Sequence, residues 1–168
     1  MSKRIGNTKI GDIFSAKIDM DHKRYLQYII SDMTQLNSDV IRVFSKVYQL
    51  EENPSIEEIV KDKVDFYAHC VTKDGVKRGL WNKIGNTQEV GGTDHIIFRD
   101  SGDYGNPRIK ISSDWWVWMI NKPFVYVEKL EGKYKNAEIG LVFQPERILN
   151  RLKTGSYQIK YPDFEMEE

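Results

Sequence analysis

The chain has 168 residues, of which 40% are hydrophobic and 12% aromatic, so it can bury a core without disulfide or metal staples. Its 25 basic and 25 acidic side chains cancel, which removes any overall charge argument for nucleic acid or an anionic membrane. A single cysteine, Cys70, excludes an intramolecular disulfide and a cysteine-built metal cluster, and no run reaches the about 18–20 apolar residues of a membrane span.

The opening MSKRIGNTKIGDIF has basic residues but no apolar stretch behind them, so it carries no secretory signal, and the expected setting is a reducing cytoplasm. GDIFSAKI (11–18) and KRYLQYIISDM (23–33) read as strands joined by a turn at DMDH. DVIRVFSKVYQL (39–50) begins with the clean alternation of a third strand. In ENPSIEEIVKDK, Ser55 and Glu58 have capping-box spacing, which starts a helix of about two turns with Ile56, Ile59 and Val60 inward. VDFYAHC (64–70) reads as a strand with Val64, Phe66, Ala68 and Cys70 on one face and Asp65, Tyr67 and His69 on the other. KDG (73–75) reads as a hairpin turn because Gly75 tolerates positive φ.

Gly91 and Gly92 mark a loop or bulge, and DSGDYGNP (100–107) is the strongest loop signal in the chain. RIKIS, WWVWMI and FVYVEKL follow as strands. QPERILNRLKTG reads as a helix near 145–154: Pro145 suits its first turn, Ile148, Leu149 and Leu152 form its apolar stripe, and Gly155 fits just past its end. SYQIKYPDF closes as a short strand before an acidic tail at 163–168. IGNT occurs at 5–8 and 84–87, but four residues with unlike flanks do not make a repeat. The fold class expected is mainly β (α+β), one domain over 1–168. Its sheet would be strongly bent and antiparallel, or a partly open barrel, with one or two short helices.

No constellation points to catalysis. His69 and Cys70 are strand neighbours and face opposite sides, and Cys70 on the Phe66 face reads as a small buried hydrophobe. Asp94 and His95 are adjacent without a nucleophile motif, and three scattered histidines form no metal spacing. Glycine-rich phosphate loops are absent, so no cofactor is expected. The one local basic cluster is Lys73, Lys77, Arg78 and Lys83 around Trp81. It is the basis of the alternative reading, a nucleic-acid-binding small barrel, although four cations on a hairpin are more often a solvated edge.

Period-two alternation puts Trp116, Trp118 and Ile120 on one face of WWVWMI, and Trp115, Val117 and Met119 on the other. Trp116 and Trp118 are expected in the core. Trp115 and Met119, beside Asp114, form an apolar patch if they are exposed and a second core face if the terminal helix covers them. Asp100 and Asp103 read first as loop carboxylates that bond nearby backbone amides.

The carboxyl-terminal third resembles the immunity protein 26 family of bacterial polymorphic-toxin systems. The matching features are VWMIN, VYVEKL, AEIGLVF, PERILNRLKTG and YQIKYP in that order, with KIGDIFSAKI and GLWNKIGN earlier in the chain. Met119 stands where a polar residue is usual, Phe143 where tryptophan is common, and the 89–107 loop has no counterpart. The resemblance implies a cytoplasmic, non-enzymatic antidote that binds and neutralises a cognate toxin domain, with no catalytic, cofactor or metal residues. The candidate toxin-binding residues are then Trp115, Asp114, Met119, Asp100 and Asp103. Further acidic candidates are Asp19 with Asp21, Glu51 with Glu52, Glu57 with Glu58, and the tail glutamates.

Overall fold

The structure, a computed structural model, describes residues 6–165. Residues 1–5, with the start of the first IGNT copy, and 166–168, the end of the acidic tail, lie outside it. In chain order the strands are β1 (Asp12–Lys17), β2 (His22–Asp32), β3 (Ser38–Phe44), β4 (Tyr48–Gln49), β5 (Val64–Cys70), β6 (Asn82–Asn86), β7 (Ile97–Ser101), β8 (Ile111–Ser112), β9 (Trp115–Met119), β10 (Val125–Tyr126), β11 (Glu138–Ile139), β12 (Val142–Phe143) and β13 (Asp163–Phe164). Among the described residues three α-helices accompany them, α1 (Ile56–Lys61), α2 (Thr72–Lys77) and α3 (Pro145–Thr154), with a short 3-10 turn of helix at Gly132–Asn136.

The mainly β class holds, but the sheets are open and mixed and do not close into a barrel. The large sheet runs β12-β5-β3-β2-β1-β6, with β4 on β2, and β12 joins parallel to β5. A four-stranded sheet runs β10-β9-β7-β11, its last pair parallel, and β13 pairs parallel with β8. Cross-strand register lines up Phe14, Leu26, Val43 and Phe66 on one face of the large sheet. α3 covers that row with Ile148 and Leu152, and Trp81, Phe143 and Tyr157 complete the cluster. On the opposite face α1 packs over Ile13, Tyr25 and Phe44, while the four-stranded sheet packs over Ile29 and Val40. β2 is therefore buried on both sides, which is why its sequence is a near-continuous apolar run.

Both capped helices follow from their end signals. Ser55 Oγ accepts the Glu58 amide at 3.2 Å, and α3 has Pro145 in its first turn and Gly155 at φ 82° past its end. The KDG segment departs from expectation. It lies inside α2, and Gly75 is there for close approach: a Cβ would overlap the Trp81 ring, so only glycine lets the indole seat against the helix. The expected basic hairpin does not exist. RIKIS and FVYVEKL keep only two paired residues each. Among the described residues no helix is long and apolar enough to cross a membrane.

Candidate partner-binding surface

The four-stranded sheet carries the tryptophan-rich segment. Asp100 of β7 stands opposite Trp116 of β9, and Trp116 stands opposite Tyr126 of β10. Directly opposed residues leave the same face of a sheet, so these three form a row across three strands. Phe98 and Trp118 form the neighbouring row on that face.

The two rows meet different surroundings. The Phe98–Trp118 end packs against Ile29 and Val40 of the large sheet. There Trp118 Nε1 donates to Asp32 Oδ2 at 3.0 Å, and His69 Nε2 lies 2.9 Å from the same oxygen. Asp32 and His69 are both fully buried. Burial pushes the Asp32 carboxyl up, but the bonds from His69, Trp118 and the Asn121 amide outweigh it and leave the pKa below its ordinary value. The pair has the look of an oriented base, yet it has no access to a substrate. Cys70 packs on the far side of β5 with Phe66, where burial raises its thiol pKa well above the ordinary value.

The Trp116 row runs past the cover of the large sheet. Trp116 is 39% exposed, Phe124 41% and Tyr126 50%. Their rings pack on one another, with Trp116 5.0 Å from Tyr126 and 6.2 Å from Phe124, centroid to centroid. Phe124 also meets Trp118 edge-on at 4.9 Å, which ties the patch to the core. β10 is the outer strand of its sheet, and its other residue, Val125, is exposed as well. Acidic groups border this aromatic edge. Partial desolvation and the adjoining Asp114 carboxylate raise the pKa of the Tyr126 hydroxyl. Burial raises the Asp100 carboxyl, against one bond from the Ser101 amide. Asp103 Oδ2 accepts from Ser112 Oγ at 2.7 Å, which pins the loop after β7 beside the start of β9.

The residues singled out from sequence therefore divide. Asp100 and Asp114 lie by the aromatic row, with the loop carboxylate Asp103 following β7. Trp115 does not lie there: it is fully buried, its Nε1 donates to the Ser112 carbonyl at 2.9 Å, and Tyr161 and Phe164 pack on its ring. The cover on that face is the terminal segment, where α3 was expected. Met119 shares the Trp115 face and is half-buried opposite Ile97. Trp116, expected in the core, is the exposed member of the three. Phe124 and Tyr126 were not singled out. Their signal was FVYV beside the only run of three near-adjacent tryptophans.

The other sequence candidates lead elsewhere. Trp81 is buried, and its Nε1 donates to the Thr72 carbonyl at 3.0 Å. Arg78 pairs with Glu146, Lys83 with Asp12 at 3.0 Å, and Lys73 bonds Asn7. The cations around Trp81 thus surround no exposed ring and are partly neutralised. His95 bonds the Tyr67 hydroxyl at 3.2 Å. Among the described residues no three His, Cys, Asp or Glu side chains converge as a metal site.

The family model of immunity protein 26 matches residues 9–109. That span contains KIGDIFSAKI, GLWNKIGN and the 89–107 loop, and it stops short of the Val117–Pro162 run on which the sequence resemblance mostly rests. No curated protein and no solved structure matches the chain. With more than half of its length matched, the chain belongs to the immunity protein 26 family.

Proposed function

We propose that this chain binds one cognate toxin domain in the cytoplasm and neutralises it by stoichiometric occlusion, without catalysis. Membership of the immunity protein 26 family carries the reading. The proposed contact surface is the aromatic edge of Trp116, Phe124 and Tyr126, with Asp100, Asp103 and Asp114 around it. Exposed large rings anchor protein interfaces, because each buries much area at small entropic cost. Bordering carboxylates suit a basic partner face, such as the active site of an enzyme that acts on a polyanion, and they speed encounter. Trp115 and Met119 are left out of this surface because they lie on the sheet's other, covered face.

The test is co-expression with the toxin domain encoded beside this chain, followed by isolation of a complex. Protection of the cell together with a one-to-one complex is expected. Killing in the presence of the folded chain, with no complex formed, would refute the reading. The nucleic-acid alternative loses its basis, since it required a basic hairpin and an exposed Trp81.

A further inference from the structure

Within the fold, this chain repeatedly sets an arginine on an aromatic ring. Arg151 lies 3.9 Å from the Phe66 centroid and pairs with Glu138 at 3.2 Å, so ring, guanidinium and carboxylate form one unit. Arg42 lies 4.9 Å from the Phe44 centroid, and Arg99 5.7 Å from that of Trp115. The aromatic edge has rings and carboxylates without the arginine. Among the described residues no arginine of the chain lies over Trp116, Phe124 or Tyr126. None pairs with Asp100, Asp103 or Asp114.

The edge has the geometry to accept one from outside. Asp100, Trp116 and Tyr126 stand in one row across three strands, and neighbouring strands are about 4.8 Å apart. A guanidinium over the indole is therefore within reach of the Asp100 carboxylate. Asp100 Oδ1 accepts the Ser101 amide at 3.0 Å, while Oδ2 bonds nothing within the chain and is open to solvent. The Trp116 ring is inclined 57° to Tyr126 and 70° to Phe124, so neither neighbour lies flat on it. The charged neighbours of the Tyr126 hydroxyl are Asp114, Glu128 and Asp103, all acidic. A Cβ at Gly102 would overlap the Asp114 carboxylate, so that glycine leaves the carboxylate its room.

We infer that the toxin domain docks an arginine side chain on this row, its guanidinium stacked on Trp116 and hydrogen-bonded to Asp100, with Tyr126 flanking it. The inference rests on the reading that this edge meets the toxin, and it names the chemistry of the contact. Arginine fits better than lysine because its planar group stacks on an indole and bonds a carboxylate at once. Asp103 and Asp114 supply attraction at longer range, which speeds encounter. Nucleic acid would meet these carboxylates with like charge, and a second copy of this chain would set the same carboxylates against them.

The test titrates the peptide acetyl-Gly-Arg-Gly-Arg-Gly-amide into the full chain at constant ionic strength, followed by the indole Nε–H signals in ¹⁵N NMR. A second peptide with citrulline in place of arginine keeps the shape and loses the charge. The Trp116 signal should move along a saturating curve while those of the buried Trp81, Trp115 and Trp118 stay in place. The citrulline peptide should bind about tenfold more weakly. Asp100→Asn, read by the Trp116 signal, and Trp116→Ala, read by the Tyr126 amide, should each weaken binding about three- to tenfold. Unmoved signals from the buried indoles show that each variant folds. An unmoved Trp116 signal, an equal response to the citrulline peptide, or unchanged affinity in Asp100→Asn overturns the inference. Isolation of the toxin complex is scored separately. A complex without arginine binding sinks this inference and keeps the toxin reading; arginine binding without a complex supports the arginine site and sinks the toxin reading.

Discussion

Trp118 Nε1 and Asp32 Oδ2, 3.0 Å apart, join the four-stranded sheet to the large one through a single buried hydrogen bond. The same oxygen meets His69, and the other carboxylate oxygen accepts the Asn121 amide at 3.1 Å. Asp32 is thus a common acceptor for β9, β5 and the turn that follows β9. Asp32→Ala would leave the Trp118, His69 and Asn121 donors without it, and should cost about 3–5 kcal/mol in urea unfolding.

The same carboxylate sets a pH dependence. Its folded pKa lies below its ordinary value of 3.8, so its contribution is present above that value and is lost as pH falls through the folded one. Stability should be level in this respect from about pH 7 to 5 and should fall below about pH 4. Asp32→Asn should flatten the acid limb, as read by denaturant melts at successive pH values. An acid limb unchanged in the variant would remove Asp32 as its cause.

Neighbouring tryptophans should behave oppositely. Trp115→Ala empties a fully buried site and should destabilise the fold by about 3–5 kcal/mol. Trp116→Ala should cost about 1 kcal/mol of stability or less, yet weaken toxin binding by about 100-fold, as an anchor does. Asp114→Asn should mainly slow association and reduce its salt dependence, measured by surface-binding kinetics at two ionic strengths.

Glycines under two indoles make a further prediction. A Cβ at Gly75 overlaps the Trp81 ring, and one at Gly140 overlaps the Trp118 ring. Gly75→Ala and Gly140→Ala should each lower stability by about 1–3 kcal/mol, although alanine favours the helix at position 75. Thermal unfolding followed by tryptophan fluorescence would show whether the ring or the backbone gives way.

Local signals were legible wherever they act over a few residues. Ser55 with Glu58 and Pro145 with Gly155 placed α1 and α3, because end caps satisfy amides and carbonyls within one turn. Alternation correctly put Trp116 and Trp118 on one face. It could not reveal how far the cover over that face extends, and Ile29 and Val40 reach Trp118 but leave Trp116 to solvent. Gly75 was misread for a similar reason: what required it was an indole six residues away pressed against a helix, not a turn.

Sequence by itself determined the fold class, the capped helices, the shared face of each strand and the likeness to immunity protein 26. Each of these rests on periods, caps or motif order within the chain. Tertiary structure alone decided which tryptophan is exposed and that His69 and Asp32 form a buried joint. Burial depends on segments distant in the chain, as when Tyr161 and Phe164 return to cover Trp115, and no local pattern encodes that return.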